Sequence, residues 1–487
     1  MSTKRYELYK DSGVEWLGNV PSHWRVDRLK ASIHTCRNGI WGEEALGDEN
    51  DIPCVRVADF DRRRLRVELS EPTIRNVTEK ERIGRVLRQG DLLLEKSGGG
   101  ENQPVGCVVL YDDARPAVCS NFVARMVSAT GQDSSYWRYV HAAAYAIRLT
   151  VGSINQTSGI QNLDQARYFN EYAVFPPQPE QAAIAAFLDR ETGKIDALVE
   201  EQRRLIELLK EKRQAVISRA VTKGLNPNAP MKDSGVEWLG KVPAHWTPMP
   251  IRLAARLESG HTPSRSRPDW WVDCTVPWFT LADVWQIRSG GADVVYETKE
   301  MVSELGLANS SARLLPKGTV MLSRTASVGF SAIMGVDMAT TQDFANWVCG
   351  KALLPEFLLC VLRSMSGEFR RLMMGSTHNT IYMPDIQAFR FALPPIGEQR
   401  AIVAYVRQAT DSFDALTTEA QRGVALLLER RAALISAAVT GKIDVRDNAD
   451  LLAAWAETKA DIAAGRFVSE SAKAHVARAR AMAKRDD

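Results

Sequence analysis

The sequence predicts an α+β protein made of one unit used twice: two α/β domains separated by two long helices that form an antiparallel coiled coil, with a pseudo-twofold internal repeat. Three observations predict it. A Trp-rich lead occurs twice, KDSGVEWLGNVPSHW at Lys10 to Trp24 and KDSGVEWLGKVPAHW at Lys232 to Trp246, with 13 identities in 15 positions at an offset of 222. A proline-initiated helical stretch also occurs twice, FPPQPEQAAIAAFLDRETGKIDAL from Phe175 to Leu198 and LPPIGEQRAIVAYVRQATDSFDAL from Leu393 to Leu416, at an offset of 218. Between lead and helix lie two middles of dissimilar sequence that share only a sparse set of strand-like patterns. Repetition on this scale decides the architecture before any single element is considered.

The elements follow in order: residues 1–175 hold the first lead and first domain, 176–224 the first long helix, 225–392 the second lead and domain, 393–442 the second long helix, and 443–487 a helical, Ala-rich tail. In the middles, Ile52 to Phe60 matches Val276 to Val284, Gly90 to Gly100 matches Gly318 to Gly329, and the Asn-Phe at Asn121 matches the Asp-Phe at Asp343. Each match reads as a short strand or a turn followed by a strand. The helices open on prolines, where a missing N–H costs nothing. Glu180 or Glu398 then sits near the positive end of the helix dipole, and the helices stop at Gly224 and Gly441. Stepping alternately four and three residues gives a mostly apolar seam through Ile184, Leu188, Ile195, Leu198, Leu205 and Leu209 in the first helix. Ile402, Val406, Phe413, Leu416, Leu427 and Leu434 make the same track in the second. Helices of about 35 residues would be about 50 Å long, more than one globular domain needs. Two amphipathic helices packed on separate cores are the bland alternative; the sustained heptad spacing favours pairing.

Composition narrows the class. At 487 residues, 45% hydrophobic and 25% charged, the chain is an ordinary globular protein of several domains rather than a disordered or fibrous one. The net charge of +3 neither requires nor excludes a nucleic-acid partner. Seven cysteines without a CxxC pair suit a reducing cytoplasm better than a disulfide framework or a zinc site. The N-terminus has no export signal and no stretch is apolar enough to span a membrane, so a cytoplasmic location is expected.

Catalytic motifs are missing. No glycine-rich phosphate loop ends in Lys and Ser or Thr, and there is no GxGxxG after a strand, no HExxH and no metal-ligand spacing among the seven histidines. His23 and His245 belong to the repeated lead and read as structural. A metal-dependent nuclease would rest on Pro268-Asp269 with Glu297-Thr298-Lys299, which occur in one copy only. The arginines between Arg56 and Arg88 are interleaved with acids and read equally as a solvated face or as a phosphate-contact strip.

Polar loops are the better candidates for contacting base edges: short side chains with paired donors and acceptors on glycine-permitted turns suit the major groove. In the first copy these are Trp41, then Lys96, Ser97, Asn102 and Gln103 in EKSGGGENQP, and Asn155, Gln156 and Thr157 in INQTSG. The second copy offers His261, Thr262, Ser264 and Arg265 in HTPSRSRP, Arg324, Thr325 and Ser327 in SRTASVG, and His378, Asn379 and Tyr382 in THNTIYMP. Against each stands the plainer reading of a polar turn.

The lead KDSGVEWLGxVPxHW, the SGHTPSRSRPDWW run followed by VPWFTLADV, and the PPxxEQxAI helix start with its VTxG end together resemble the specificity subunit of type I restriction-modification systems. The resemblance spans Tyr6 to about Val445. It implies two target-recognition domains held by an antiparallel helical pair, each binding half of an asymmetric, split sequence in double-stranded DNA. It also implies a chain with no catalytic residues and no cofactor of its own. Two modification subunits would methylate adenine with S-adenosylmethionine, and restriction subunits, helicase-nucleases, would use ATP and Mg. A self-sufficient endonuclease and a tandem binding scaffold without DNA are the alternatives from other classes.

Overall fold

The computed structural model describes residues 4–156, 159–288, 292–373 and 379–446. The chain divides into two compact units: one formed by the residues up to Glu200 together with those from Val424 onward, the other by Glu201–Gly423.

In the first unit a sheet is built from β1 (Ile33–Asn38), β2 (Phe60–Asp61), β3 (Arg66–Val67), β4 (Asp91–Glu95), β5 (Val108–Tyr111) and β6 (Val123–Ser128), in the order β1-β6-β4-β5-β3-β2. β4 is antiparallel to both neighbours, pairing Leu92 with Leu110 and with Met126. All five β4 residues are buried, as expected of a central strand covered on both faces. Helix α1 (Ser134–Ala146) packs on it, and Trp137 and Val140 join Leu92, Leu94 and Met126 in the core.

The second unit repeats the topology with β7 (Ala255–Ser259), β8 (Val294–Val295), β9 (Val320–Ser323), β10 (Ser331–Met334) and β11 (Phe344–Cys349), in the order β7-β11-β9-β10-β8. Again the central strand is antiparallel to its neighbours, and the next connection, β10 to β8, is parallel as β5 to β3 is. Helix α3 (Pro355–Ser364) covers this sheet as α1 covers the other, and Trp347, Phe357, Leu358 and Phe391 fill the core.

The near-identity of the two leads has a structural reason. Each forms a small hairpin with the same register, Tyr9 opposite Pro21 and Met231 opposite Pro243. Each then delivers a fully buried tryptophan to the start of a long helix. Trp24 Nε1 donates to Glu180 Oε2 at 3.0 Å, and Trp246 Nε1 donates to Glu398 Oε2 at the same distance. His23 lies 2.7 Å from Glu180 and His245 2.8 Å from Glu398, so both histidines are used in locking lead to helix.

The long helices are α2 (Gln178–Lys223) and α4 (Ile396–Val439), 46 and 44 residues and so longer than the expected 35. Both end on a glycine in the left-handed region, Gly224 at φ +70° and Gly441 at φ +75°. Within the first unit they run antiparallel: Asp196 pairs with Arg431 at 3.2 Å, and Tyr9, beside the start of α2, donates to Gly441 O at 3.0 Å. Within the second unit the same sense appears, with Arg213 to Asp414 at 3.0 Å and Gly224 against Glu398.

The expected seam holds only in part. Ile184, Leu188, Ile195, Leu209, Ile402 and Val406 are buried, and Phe413, Leu427 and Leu434 are half-buried, but Leu198, Leu205 and Leu416 stand exposed. Val199 and Ile206 take the inward positions instead, along with Ala420. The spacing of 3.5 is right; the steps of four and three fall in the opposite order, because the apolar pairs Leu198-Val199 and Leu205-Ile206 leave the phase open. Of the expected tail, Ile443 and Val445 are buried in the core of the first unit, and residues 447–487 lie outside the described residues.

Candidate nucleic-acid interface

Beyond β4 in the first unit the chain turns at Lys96 and enters a second, three-stranded sheet. Ser97–Gly98 pairs with Gln161–Leu163, which pairs in turn with Ile154–Gln156. Residues 65 apart in sequence are thereby joined: Ser97 lies opposite Asn162 and donates to its Oδ1 at 2.7 Å, and Asn155 lies opposite Asn162 from the other side. Asn155 and Gln156 are exposed at this edge, as are Asn102 and Gln103. The amide oxygen of Gln103 accepts from the Arg62 guanidinium at 3.0 Å. Thr157 lies outside the described residues.

In the second unit the equivalent turn does the same with different side chains. Thr325 bridges Thr380, and Ala326 N donates to Asn379 O at 2.9 Å. Arg324 is fixed by the carbonyls of Gln342 and Ile381 at 2.9 and 3.2 Å. Thr262 donates to Gln342 Oε1 at 2.8 Å, so these predicted residues meet. Ser327 Oγ accepts from Arg288 at 2.7 Å, His261 N donates to Thr340 O, and Tyr382 is 55% exposed. Ser264 bonds Ser266, while Arg265 stacks over Trp271 at 3.9 Å and pairs with Glu300 at 2.8 Å; both belong to a cluster on the 264–271 turn. His378 lies outside the described residues.

Hydrogen bonds align the two edges residue by residue. Lys96 N donates to Phe122 O as Arg324 N donates to Asp343 O, and Glu95 bonds Cys107 as Ser323 bonds Phe330. A Cβ on Gly39 would meet the carbonyls of Cys119 and Ser120 at 2.1 and 2.3 Å; on Gly260 it would meet those of Thr341 and Thr340 at the same distances. Only glycine permits so close an approach of backbone to backbone. The pairs are therefore Gly39 with Gly260, Trp41 with Thr262, Glu95 with Ser323, Lys96 with Arg324, and Phe122 with Asp343. This corrects the sequence match of Asn121 to Asp343 by one position. Val123 is the counterpart of the core residue Phe344, since each opposes the last residue of its central strand, and Phe122 is turned out, 43% exposed.

The arginine strip is largely consumed within the unit. Arg56 bonds Asp59, Arg62 reaches Glu95 at 2.8 Å, Arg63 reaches Glu200 at 2.5 Å, and Arg66 pairs with Asp112. That favours a bonded structural face over a free phosphate-contact strip. Asp269, named for the nuclease reading, pairs with Arg267 at 2.9 Å. Among the described residues no three His, Cys, Asp or Glu side chains gather as a metal site would require, and no helix is long and apolar enough to cross a membrane.

Two α/β units carrying loop edges of the same construction and different side chains, each joined to a long helix by the same lock, define a duplicated two-unit protein. Residues 246–424 match the family described as type I restriction modification DNA specificity domain. Over that segment the chain is similar to the DNA specificity domain of type I restriction-modification systems. It is 25% identical over 180 residues to a Methanocaldococcus jannaschii protein named type I restriction enzyme MjaIX specificity subunit, covering 36% of this chain and 40% of that one. It is 24% identical over 191 residues to the Escherichia coli type I restriction enzyme EcoprrI specificity subunit, covering 38% of this chain and 44% of that one. The matched segments thus span less than half the length of these two relatives. A solved structure described as the structural basis of complex assembly and conformational transition of the type I R-M system superposes with a TM-score of 0.61 at 18% identity. The superposition covers 86% of this chain and 98% of the other, a likeness of fold.

Proposed function

We propose that this chain is the sequence-specific DNA-recognition subunit of a type I restriction-modification complex, non-catalytic itself, each unit reading one half of an asymmetric bipartite site in double-stranded DNA. The recognition modules correspond to residues 1–175 and 225–392, and the long helices 176–224 and 393–442 set the gap between half-sites and dock two modification subunits. Adenine methylation with S-adenosylmethionine, and ATP- and Mg-dependent translocation and cleavage, belong to the modification and restriction subunits. The setting is the cytoplasm of a bacterium or archaeon.

One observation carries the reading. At the same place on the same topology, one unit presents Trp41, Lys96 and Ser97 and the other Thr262, Arg324 and Thr325. A conserved frame with exchanged donors and acceptors is what reading two different base sequences requires, because phosphate contacts position a protein while base-edge contacts specify it. The Lys96 and Arg324 pair keeps a cation at each edge, as phosphate contact needs.

The test is a domain exchange. Replacing Val26 to Val174 by the corresponding segment of another family member, with modification subunits co-expressed, is expected to change one half of the methylated sequence and leave the other intact. Methylome sequencing reads this directly. Change in both halves would overturn the modular reading, and a chain that confers no sequence-dependent methylation would overturn recognition altogether.

A further inference from the structure

The first unit carries an open cleft of about 480 Å³ beside its loop edge, bounded by Trp41, Phe122, Arg56, Glu95 and the Ser97–Gly99 turn. We propose that this cleft receives one nucleobase, bearing an exocyclic amino group, turned out of the duplex stack and held between Trp41 and Phe122. The proposal rests on the recognition reading above and deepens it for one half-site.

Three features of the cleft fit that occupant. Its walls are two aromatic rings 38% and 43% exposed, in a unit whose other tryptophan near the sheet, Trp137, is fully buried. Trp41 is held in place: Arg75 stacks on the indole at 4.6 Å and donates to the carbonyls of Trp41 and Gly42 at 3.1 and 3.0 Å. Fixed aromatic faces stack bases of any sequence, because every base has a π-face.

Inside the cleft lies Glu95, 1% exposed. Its Oε2 accepts from Arg62 at 2.8 Å, and the Cys107 backbone N–H also favours its charged form. A carboxylate has about four acceptor sites, so one lining an open cleft keeps capacity for a further donor brought by a ligand. The amino group of cytosine or adenine is such a donor, and carboxylates accept from cytosine N4 in base recognition.

Lys96, between Glu95 and Ser97 in the chain, brings a cation suited to the backbone of a displaced nucleotide. Taking a base out of the stack loses its stacking and pairing, which stacking on two rings and a hydrogen bond on the Watson–Crick edge offset.

The second unit provides the contrast. At the positions of Trp41, Glu95 and Phe122 it has Thr262, Ser323 and Asp343, and Thr262 is bonded to Gln342. Those three positions hold neither an aromatic residue nor a carboxylate as buried as Glu95, so the extruded base is assigned to the half-site of the first unit.

The experiment uses the full chain assembled with its modification subunits, once methylation mapping has given the recognised sequence. Two duplex series are titrated: in one, each base of the site is deleted in turn to an abasic nucleotide; in the other, the nucleotide opposite each base is deleted. The expected result is a single position, other than the methylated base, with three properties. Deleting the opposite nucleotide tightens binding about tenfold; deleting the base itself weakens it about tenfold; and both effects vanish in Trp41→Ala and Phe122→Ala, which weaken binding to the intact duplex. Glu95→Gln is expected to weaken binding to that base while leaving the abasic duplex unaffected. Exposed walls make folded variants, checked by assembly with the modification subunits. Sequence-specific binding with no such position, or a position indifferent to both aromatic substitutions, overturns the inference and leaves recognition standing. Loss of all sequence preference in the unmodified protein overturns both.

Discussion

Glu180 and Glu398 each serve an indole N–H and a histidine ring at the first turn of a long helix, and Glu180 also accepts from Tyr6 Oη at 3.2 Å. The carboxylate is favoured there by the helix dipole and in turn fixes the lead. Replacing Glu180 by Ala strands the Trp24 indole N–H, which sits in a fully buried ring, so Glu180→Ala is expected to destabilise the first unit by about 2–3 kcal/mol. Glu398→Ala should cost a similar amount in the second, and urea denaturation of the two variants measures both. His141 makes a different claim. It is fully buried on the inner face of α1, its Nδ1 shares a hydrogen bond with Tyr168 Oη at 2.8 Å, and burial pulls its pKa down to about 4. The unfolded chain takes up the imidazole proton near pH 6.5 and the folded one does not until about pH 4, so the neutral ring supports the fold above 6.5. That support drains by about 1.4 kcal/mol per pH unit as the pH falls between those values. Hydrogen exchange of the α1 amides should show this acid slope, and His141→Gln should remove the share due to one proton.

The paired helices show what a sequence pattern conveys and what it withholds. Their existence, direction and ends were legible: Pro-Pro starts, Glu180 and Glu398, and the stops at Gly224 and Gly441 all stand where the residues put them. The phase of the seam was not, because Leu198-Val199 and Leu205-Ile206 each offer two apolar neighbours about 100° apart around the helix, and hydrophobicity cannot rank them. Packing chooses the β-branched member of each pair. Ile206→Ala, at 8% exposure, is therefore expected to cost about 2–4 kcal/mol, while Leu205→Ala, at 43%, should fall within about 1 kcal/mol of the parent. Thermal unfolding of the pair decides it, and equal losses would contradict the observed phase. The same limit hid Phe122. An Asn-Phe in one copy and an Asp-Phe in the other invite alignment, yet the ladder to Glu95 and Ser323 sets them one residue out of step. A slip of one residue in a strand exchanges its faces, and so a ring that reads as core lies in the wall of a cleft. Loop candidates such as Ser97, Asn155 and Thr325 were found by composition, but that 97, 155 and 162 share one sheet is a tertiary fact no local pattern contains.

At the scale of the whole molecule, duplication separates two jobs that one domain would have to combine. The leads are near-identical and the helix starts similar because each repeats one lock and one packing problem, whereas the middles have diverged because nothing in the frame constrains which donors occupy the loop edge. On the proposed function, helix length and half-site identity are then independent variables. A heptad added to both helices at matched positions, after Lys210 in α2 and after Thr417 in α4, keeps every apolar position in phase and leaves the Arg213 to Asp414 pair intact on one side of the insertions. Seven residues add about 10.5 Å of helix. Set against about 3.4 Å per base pair along B-DNA, this is expected to lengthen the unread spacer by about three base pairs with both half-sites unchanged. Four residues added instead break the 3.5 repeat and turn the apolar stripe away from its partner, so that variant should lose stability rather than shift the spacer. Methylome sequencing of the two variants distinguishes a spacer set by the helices from one set by the recognition loops, because only the first follows the heptad.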